Sequence, residues 1–131
     1  AFVASEVVKL MAARNGFPHD ARVLLLGLTF KENCPDLRNT RVVDIAAELK
    51  AYGTHCDVHD PWASSDEAER EYGIRLVEPQ AGDDYDAVVL AVAHRQFAEM
   101  GIDAVRRLAK PGAIVYDVKH LFPAEAVDGR L

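Results

Sequence analysis

The chain has 131 residues, enough for one domain with a buried core, and its 50% hydrophobic and 27% charged content is that of an ordinary globular protein. A formal charge of −6 argues against nucleic acid as a partner, since holding phosphates needs a basic surface. No apolar run approaches a membrane span, no signal peptide is visible, and the two cysteines lack CxxC spacing, so a reduced, cytoplasmic setting away from membranes is expected.

The sequence opens without an initiator Met and inside a helical pattern, with Val3, Val7, Leu10 and Met11 on one face and Gly16 as the stop. A helix without a starting cap reads as the end of a longer one. Residues 1–16 are therefore expected to continue from a preceding helical domain, and residues 17–131 to form the domain proper. Separated from that partner, the stripe around Val3, Val7 and Leu10 is expected to be exposed. Residues 23–28 form an apolar, Leu-rich run bounded by Gly27, the pattern of a buried central strand. Val42, Ile45, Ala46 and Leu49 then repeat at helical spacing, with Asn39 or Thr40 as the expected N-cap and Gly53 as the close.

A second strand is predicted over 55–59, ending at Asp60-Pro61. Ser64 and Glu67 have capping-box spacing for a short helix that stops at Gly73, and residues 74–77 read as a third strand. Residues 87–93 are continuously apolar, a strand buried on both faces. Residues 97–109 read as a helix broken near Gly101, Lys110-Pro111-Gly112 as a turn, and 113–117 as the last clear strand. Alternating strands and helices predict an α/β fold: a three-layer, Rossmann-like sandwich around a mostly parallel sheet.

Chemistry concentrates after the first strand. Its loop is about twice the usual 2–6 residues and lies on the carboxyl side of the strand, where open α/β sheets bind ligands. The turn Gly27-Leu28-Thr29-Phe30-Lys31-Glu32 has one glycine where a dinucleotide fingerprint needs three, so the domain lacks its own GxGxxG and is not expected to hold NAD in the usual way. Asp60 occupies the place of a ribose-binding acid, but without that turn it reads better as a residue that ends its strand. Lys31 and Arg38 are candidate phosphate ligands, a point charge and a bidentate fork. Phe30 serves equally as core packing or as an aromatic surface for a base or sugar. Asp36, two residues before Arg38, reads best as its structural partner.

Lys119 follows the last strand and is balanced between a second cation for the same ligand and a surface lysine. His94 follows the strand before it and reads better as a helix-start residue than as a base. His55 and His59 lie about 13 Å apart on a strand, too far to share one metal ion. Cys34 has no partner that would make it a nucleophile.

These residues resemble a known family. The run Gly27-Leu28-Thr29-Phe30-Lys31-Glu32-Asn33-Cys34-Pro35-Asp36-Leu37-Arg38-Asn39-Thr40, the strand end Val58-His59-Asp60-Pro61 and the ending Tyr116-Asp117-Val118-Lys119 resemble the C-terminal, UDP-binding domain of the UDP-glucose/GDP-mannose dehydrogenase family. With Asp60-Pro61-Trp62 and Ala93-His94-Arg95, the variant is most similar to the UDP-N-acetylglucosamine/galactosamine 6-dehydrogenases of Vi-antigen type capsular polysaccharide synthesis. The resemblance implies an NAD-dependent oxidation of a UDP-N-acetylhexosamine at C6 to its uronate, with NAD held by an N-terminal domain and a helical domain building a homodimer.

A cysteine upstream of this domain would trap the aldehyde and pass through a thioester, so neither Cys34 nor Cys56 inherits that role. No catalytic or metal-binding residue is expected in this chain. Carried over by position, Phe30, Lys31 and Lys119 are expected to contact the nucleotide sugar and Arg38 to reach NAD. Lys119 stands where many relatives have arginine and cannot form a bidentate fork. The competing reading is a free-standing α/β binding or receiver-like regulatory module. It is disfavoured because the first strand ends in Gly27-Leu28-Thr29 without the acidic pair that would hold magnesium.

Overall fold

The computed structural model describes residues 2–16 and 19–131. In chain order the elements are α1 (Phe2–Asn15), β1 (Arg22–Leu26), α2 (Val42–Ala51), β2 (His55–His59), α3 (Ser65–Tyr72), β3 (Tyr85–Leu90), α4 (Arg95–Arg107), β4 (Ala109–Asp117), a 3₁₀ turn at Ala124–Ala126, and β5 (Gly129–Arg130). The strands form one sheet in the order β2-β1-β3-β4-β5, and every ladder in it is parallel. β1 lies inside the sheet with β3 and β4 on one side, as a three-layer α/β sandwich requires.

The apolar runs of β1 and β3 are continuous because both faces of the sheet are covered. Along them the side chains alternate with the period-2 geometry of strands. Val23, Leu25, Ala87 and Val89 pack into one core with α1 and α2, while Leu24, Leu26, Val88 and Leu90 pack into a second core with Phe97 and Val105 of α4. All eight are completely buried. α4 breaks at Gly101, whose φ of 80° and ψ of 160° are not helical, at the predicted position.

Four local expectations are corrected, and one strand lies beyond what was expected. The apolar stripe of α1 is not exposed: Val3, Ala4, Val7 and Met11 lie in the first core, against a helix and strands of the same domain. Residues 74–77 do not form a strand and contribute only a single bridge, Val58 to Leu76. The Ile74 N–H instead closes the end of α3 by donating to the Ala68 carbonyl, and Pro79 has no N–H with which to extend a ladder.

The N-cap of α2 is Arg41, one residue later than expected. The Thr40 hydroxyl donates to the Leu28 carbonyl, at 2.5 Å, and accepts from the Val42 N–H. Thr40 thus serves the first helical N–H from one position before the cap and joins the helix start to the end of β1. Lys110-Pro111-Gly112 is not a turn ahead of a strand. It is an excursion within β4, where the register steps from Tyr85–Ala109 to Ala87–Ile114. Finally, the two-residue β5 is too short and too polar to have been read from its pattern.

Gly27 is held at φ 107°, and a Cβ there would lie 2.6 Å from the Val92 Cβ and 2.8 Å from its backbone N. Substitution by alanine is expected to lower the stability of the chain by at least about 2 kcal/mol, through the positive φ and the overlap together. A urea midpoint unchanged by Gly27→Ala would show that the β1 and β3 ends can part without cost.

Candidate functional site

Because all strands run the same way, the segments after β1, β3 and β4 emerge at one carboxyl edge of the sheet. Asp60 organises that edge. It follows β2, its side chain is fully buried, and its carboxylate accepts five hydrogen bonds. Oδ2 accepts from the N–H groups of Leu28 (2.6 Å) and Thr29 (3.0 Å) and faces His94 Nε2 at 2.9 Å. Oδ1 accepts from the N–H groups of Trp62 (2.7 Å) and Ala63 (3.0 Å), closing the turn after β2. Burial alone would raise the carboxyl's pKa. The bonds from His94 and the backbone N–H groups outweigh it and hold the group below the ordinary carboxylate range.

This network decides what the first turn can do. The Leu28 and Thr29 N–H groups, which would have to face a pyrophosphate in a dinucleotide site, are spent on Asp60. Val92 packs where the glycine-lined approach would be. The residues present do not fit a dinucleotide cradle in this turn. Asp60 itself is buried among protein donors and does not present its carboxylate to a ribose.

Beyond Asp60 the loop rises to the surface. The Phe30 N–H donates to the Asp36 carbonyl, Thr29 Oγ1 donates to the Lys31 carbonyl, and the buried Leu37 anchors the return. The Tyr72 hydroxyl of α3 donates to the Leu37 carbonyl. Phe30 is 53% exposed, so it presents an aromatic face rather than filling the core. Lys31 is exposed beside it. Arg38 closes on Asp36, with Nε at 3.0 Å from Oδ1 and an Nη at 3.2 Å from Oδ2. That guanidinium, hydrogen-bonded to Asp36, holds the Asp36 carboxyl below its usual range.

A cavity of about 740 Å³ opens at this edge between α1, α2 and the strand ends. Phe30, Thr29, Val92, Lys119 and, from the start of α2, Arg41 line it. Phe30 and Lys119 therefore share one space although they follow different strands. Lys31 and Arg38 occupy the same edge but are not among the cavity's walls. The α2 side of the cavity also carries Asp44 and Glu48, so the opening combines the aromatic face of Phe30 with cations at Arg41 and Lys119 and carboxylates along α2. A planar base or sugar suits the aromatic face, and an anionic group the Lys119 and Arg41 side.

His94 is the N-cap of α4 and is completely buried, its ring held between the β1–α2 loop and Asp60. His55 and His59 serve different partners: Nε2 of His55 pairs with Asp20, and Nδ1 of His59 pairs with the Val77 carbonyl. Burial pushes the Cys56 thiol up to about 12. Sequence reasoning did not pick out Arg41, Thr29 or Asn33. A usable signal existed only for Asn33, since asparagine tolerates the left-handed backbone that it adopts here (φ 56°).

The fold and this edge define a parallel α/β domain with an open cavity at its carboxyl edge and no dinucleotide turn in its first βα connection. The chain belongs to the UDP-glucose/GDP-mannose dehydrogenase family: residues 24–124 match the model of that family's UDP binding domain. It is 50% identical over 131 residues to a UDP-N-acetyl-D-glucosamine 6-dehydrogenase of Pseudomonas aeruginosa, a match covering 100% of this chain and 31% of that protein. It is 42% identical over 130 residues to the enzyme of the same name from Salmonella typhi, covering 99% of this chain and 31% of the relative. Among solved structures, a UDP-glucose dehydrogenase from the hyperthermophilic archaeon Pyrobaculum islandicum superposes with a TM-score of 0.72 at 28% identity, over 98% of this chain and 29% of that one. The chain thus spans under a third of the length of these relatives.

Proposed function

We propose that the chain is the nucleotide-sugar-closing domain of an NAD-dependent UDP-N-acetylhexosamine 6-dehydrogenase. The observation that carries this reading is the cavity at the carboxyl edge, which Phe30 and Lys119 both line. Phe30 offers a face to the base or ribose, and Lys119 and Lys31 offer charge to the diphosphate. The N-acetylhexosamine is favoured by the 50% and 42% identical relatives, both named for that substrate.

NAD supplies the oxidising power of such a reaction. The first turn of this chain does not fit it, so the cofactor belongs to another part of the full-length enzyme, and Arg38 is what this chain offers to it. That enzyme works as a homodimer in the cytoplasm for surface polysaccharide synthesis. Among the described residues, no helix is long and apolar enough to cross a membrane.

The test compares the full-length enzyme with this chain alone. The full-length enzyme is expected to form NADH from NAD and a UDP-N-acetylhexosamine. The chain alone is expected to fold, to turn over nothing, and to bind the UDP-sugar only weakly by calorimetry, since one wall of a cleft bears the whole ordering cost of association. NADH formation by the chain alone would overturn the reading.

A further inference from the structure

The loop that carries Lys31 is long, and its tip is exposed, so something must fix it. Among the described residues, the only hydrogen bonds that leave the stretch 31–35 for another part of the fold are two made by Asn33. Its N–H donates to His94 Nδ1 at 2.9 Å, and its side-chain Oδ1 accepts from the Arg95 N–H at 2.9 Å. The Arg95 N–H belongs to the first turn of α4, where no helical carbonyl can serve it.

The proton inventory of His94 follows from its partners. A backbone N–H can only donate, so Nδ1 is the bare, accepting nitrogen, and the proton of a neutral ring sits on Nε2. Nε2 faces Asp60 Oδ2 at 2.9 Å and Thr29 Oγ1 at 3.1 Å. The Thr29 hydroxyl donates its own proton to the Lys31 carbonyl, so it too receives from Nε2. Both ring nitrogens are therefore committed, one to the anchored carboxylate and one to the loop tip. The ring lies beside Phe97 and Trp62, and Asp60 is the titratable group bonded to it.

We propose that His94 is a positioning residue for nucleotide-sugar binding: without touching ligand, its buried imidazole gives the Asn33 N–H an acceptor at Nδ1 and so holds the Lys31 loop against the start of α4. The inference rests on the reading of this domain given above. An apolar residue of similar size would fill the space but tie nothing. A lysine would offer donors only, where the Asn33 N–H needs an acceptor.

The two nitrogens can be separated by substitution in the full-length enzyme. In His94→Asn the side-chain oxygen takes the place of Nδ1 and keeps the loop contact. In His94→Gln the amide takes the place of Nε2 and keeps Asp60 but loses Asn33. His94→Gln is expected to raise KM for the UDP-sugar about tenfold with kcat little changed, since a binding contact is loosened equally for ground and transition states. His94→Asn is expected to stay within about threefold of the wild type. Hydrogen exchange at the Asn33 amide should accelerate in the Gln variant and not in the Asn variant.

Asn33→Gly, at an exposed left-handed position that glycine adopts freely, removes only the Arg95 arm and keeps the N–H that His94 accepts, so it is expected to raise the same KM less than His94→Gln does. Equal KM changes in His94→Gln and His94→Asn, or a larger KM change in Asn33→Gly than in His94→Gln, would overturn the latch. Lys31→Ala, run in parallel, separates the two levels of inference. If it raises KM while His94→Gln does not, only the latch falls. If Lys31→Ala leaves KM unchanged, the assignment of this loop to the nucleotide sugar falls, and the latch as a positioning device falls with it.

Discussion

Replacing Asp60 by alanine is expected to destabilise this chain by about 3–5 kcal/mol, read from the urea midpoint of the isolated domain. The carboxylate accepts from four backbone N–H groups and from His94, and its side chain has no solvent exposure. Removing it leaves buried donors without acceptors at the junction of β1, β2 and the start of α4. Asp60→Asn should recover only part of the loss. One oxygen survives, but the new NH₂ faces N–H groups that need an acceptor. A loss below about 1 kcal/mol for Asp60→Ala would show that water replaces the carboxylate and that the junction is not built on it.

The same residue sets an expectation for acid. The folded pKa of Asp60 is depressed below its unfolded value, which lies near 3.9. A depressed carboxylate contributes stability that is complete above the unfolded pKa and is lost as pH falls through the folded one. Asp128 has the same sign. Burial raises it, but the Val115 N–H, the Arg14 side chain and the charges of Arg106 and Arg14 bring it down further. Asp86 is lowered against burial by its bonds from Lys110 and the Arg22 N–H. The contribution of these three carboxylates should therefore be flat from neutrality to about pH 5 and fall below about pH 4. Asp60→Ala should flatten part of that acid limb, which a pH series of urea midpoints would reveal.

The sequence announces the layers of this fold clearly and its joints poorly. β1, β3 and the second half of β4 are legible because a strand buried on both faces is a continuous apolar run. α3 is legible because Ser64 and Gly73 act locally: the Ser64 side chain accepts from the Glu67 N–H, and Gly73 takes φ 67°. The excursion at 110–112 and the short β5 depend on what lies beside them in the sheet, which no window of sequence contains.

The site divides in the same way. Phe30, Lys31, Arg38 and Lys119 could be singled out because loops at the carboxyl edge of a parallel sheet are where such folds bind ligands. The pairing of Arg38 with Asp36 was legible from their spacing. The bond between Asn33 and His94 was not, since it joins loops 61 residues apart. Asp60 lies between these cases: its place before Pro61 marks a turn, but its hold on Leu28 and Thr29 appears only when β1 and β2 are side by side.

The largest effect on function is expected at Lys31. Lys31→Ala in the full-length enzyme should raise KM for the UDP-sugar about 10- to 150-fold, the equivalent of a charge-assisted contact of roughly 1.5–3 kcal/mol. The residue is well suited to such a contact because it is exposed, next to an exposed aromatic ring, and makes no hydrogen bond or ion pair through its side chain among the described residues. Arg38→Ala should instead raise KM for NAD, with a smaller effect on the sugar. Its guanidinium must first be shared with Asp36, whose own partner it is. Asp36→Ala provides the control, because it frees Arg38 without deleting it. If Arg38 acts by reaching the cofactor, Asp36→Ala should leave KM for NAD much closer to the wild type than Arg38→Ala does. If the pair only orders the loop, Asp36→Ala and Arg38→Ala should damage both substrates alike. Steady-state kinetics with each substrate varied at saturating levels of the other distinguishes the two, and equal damage would move Arg38 from the cofactor to the scaffold of the loop.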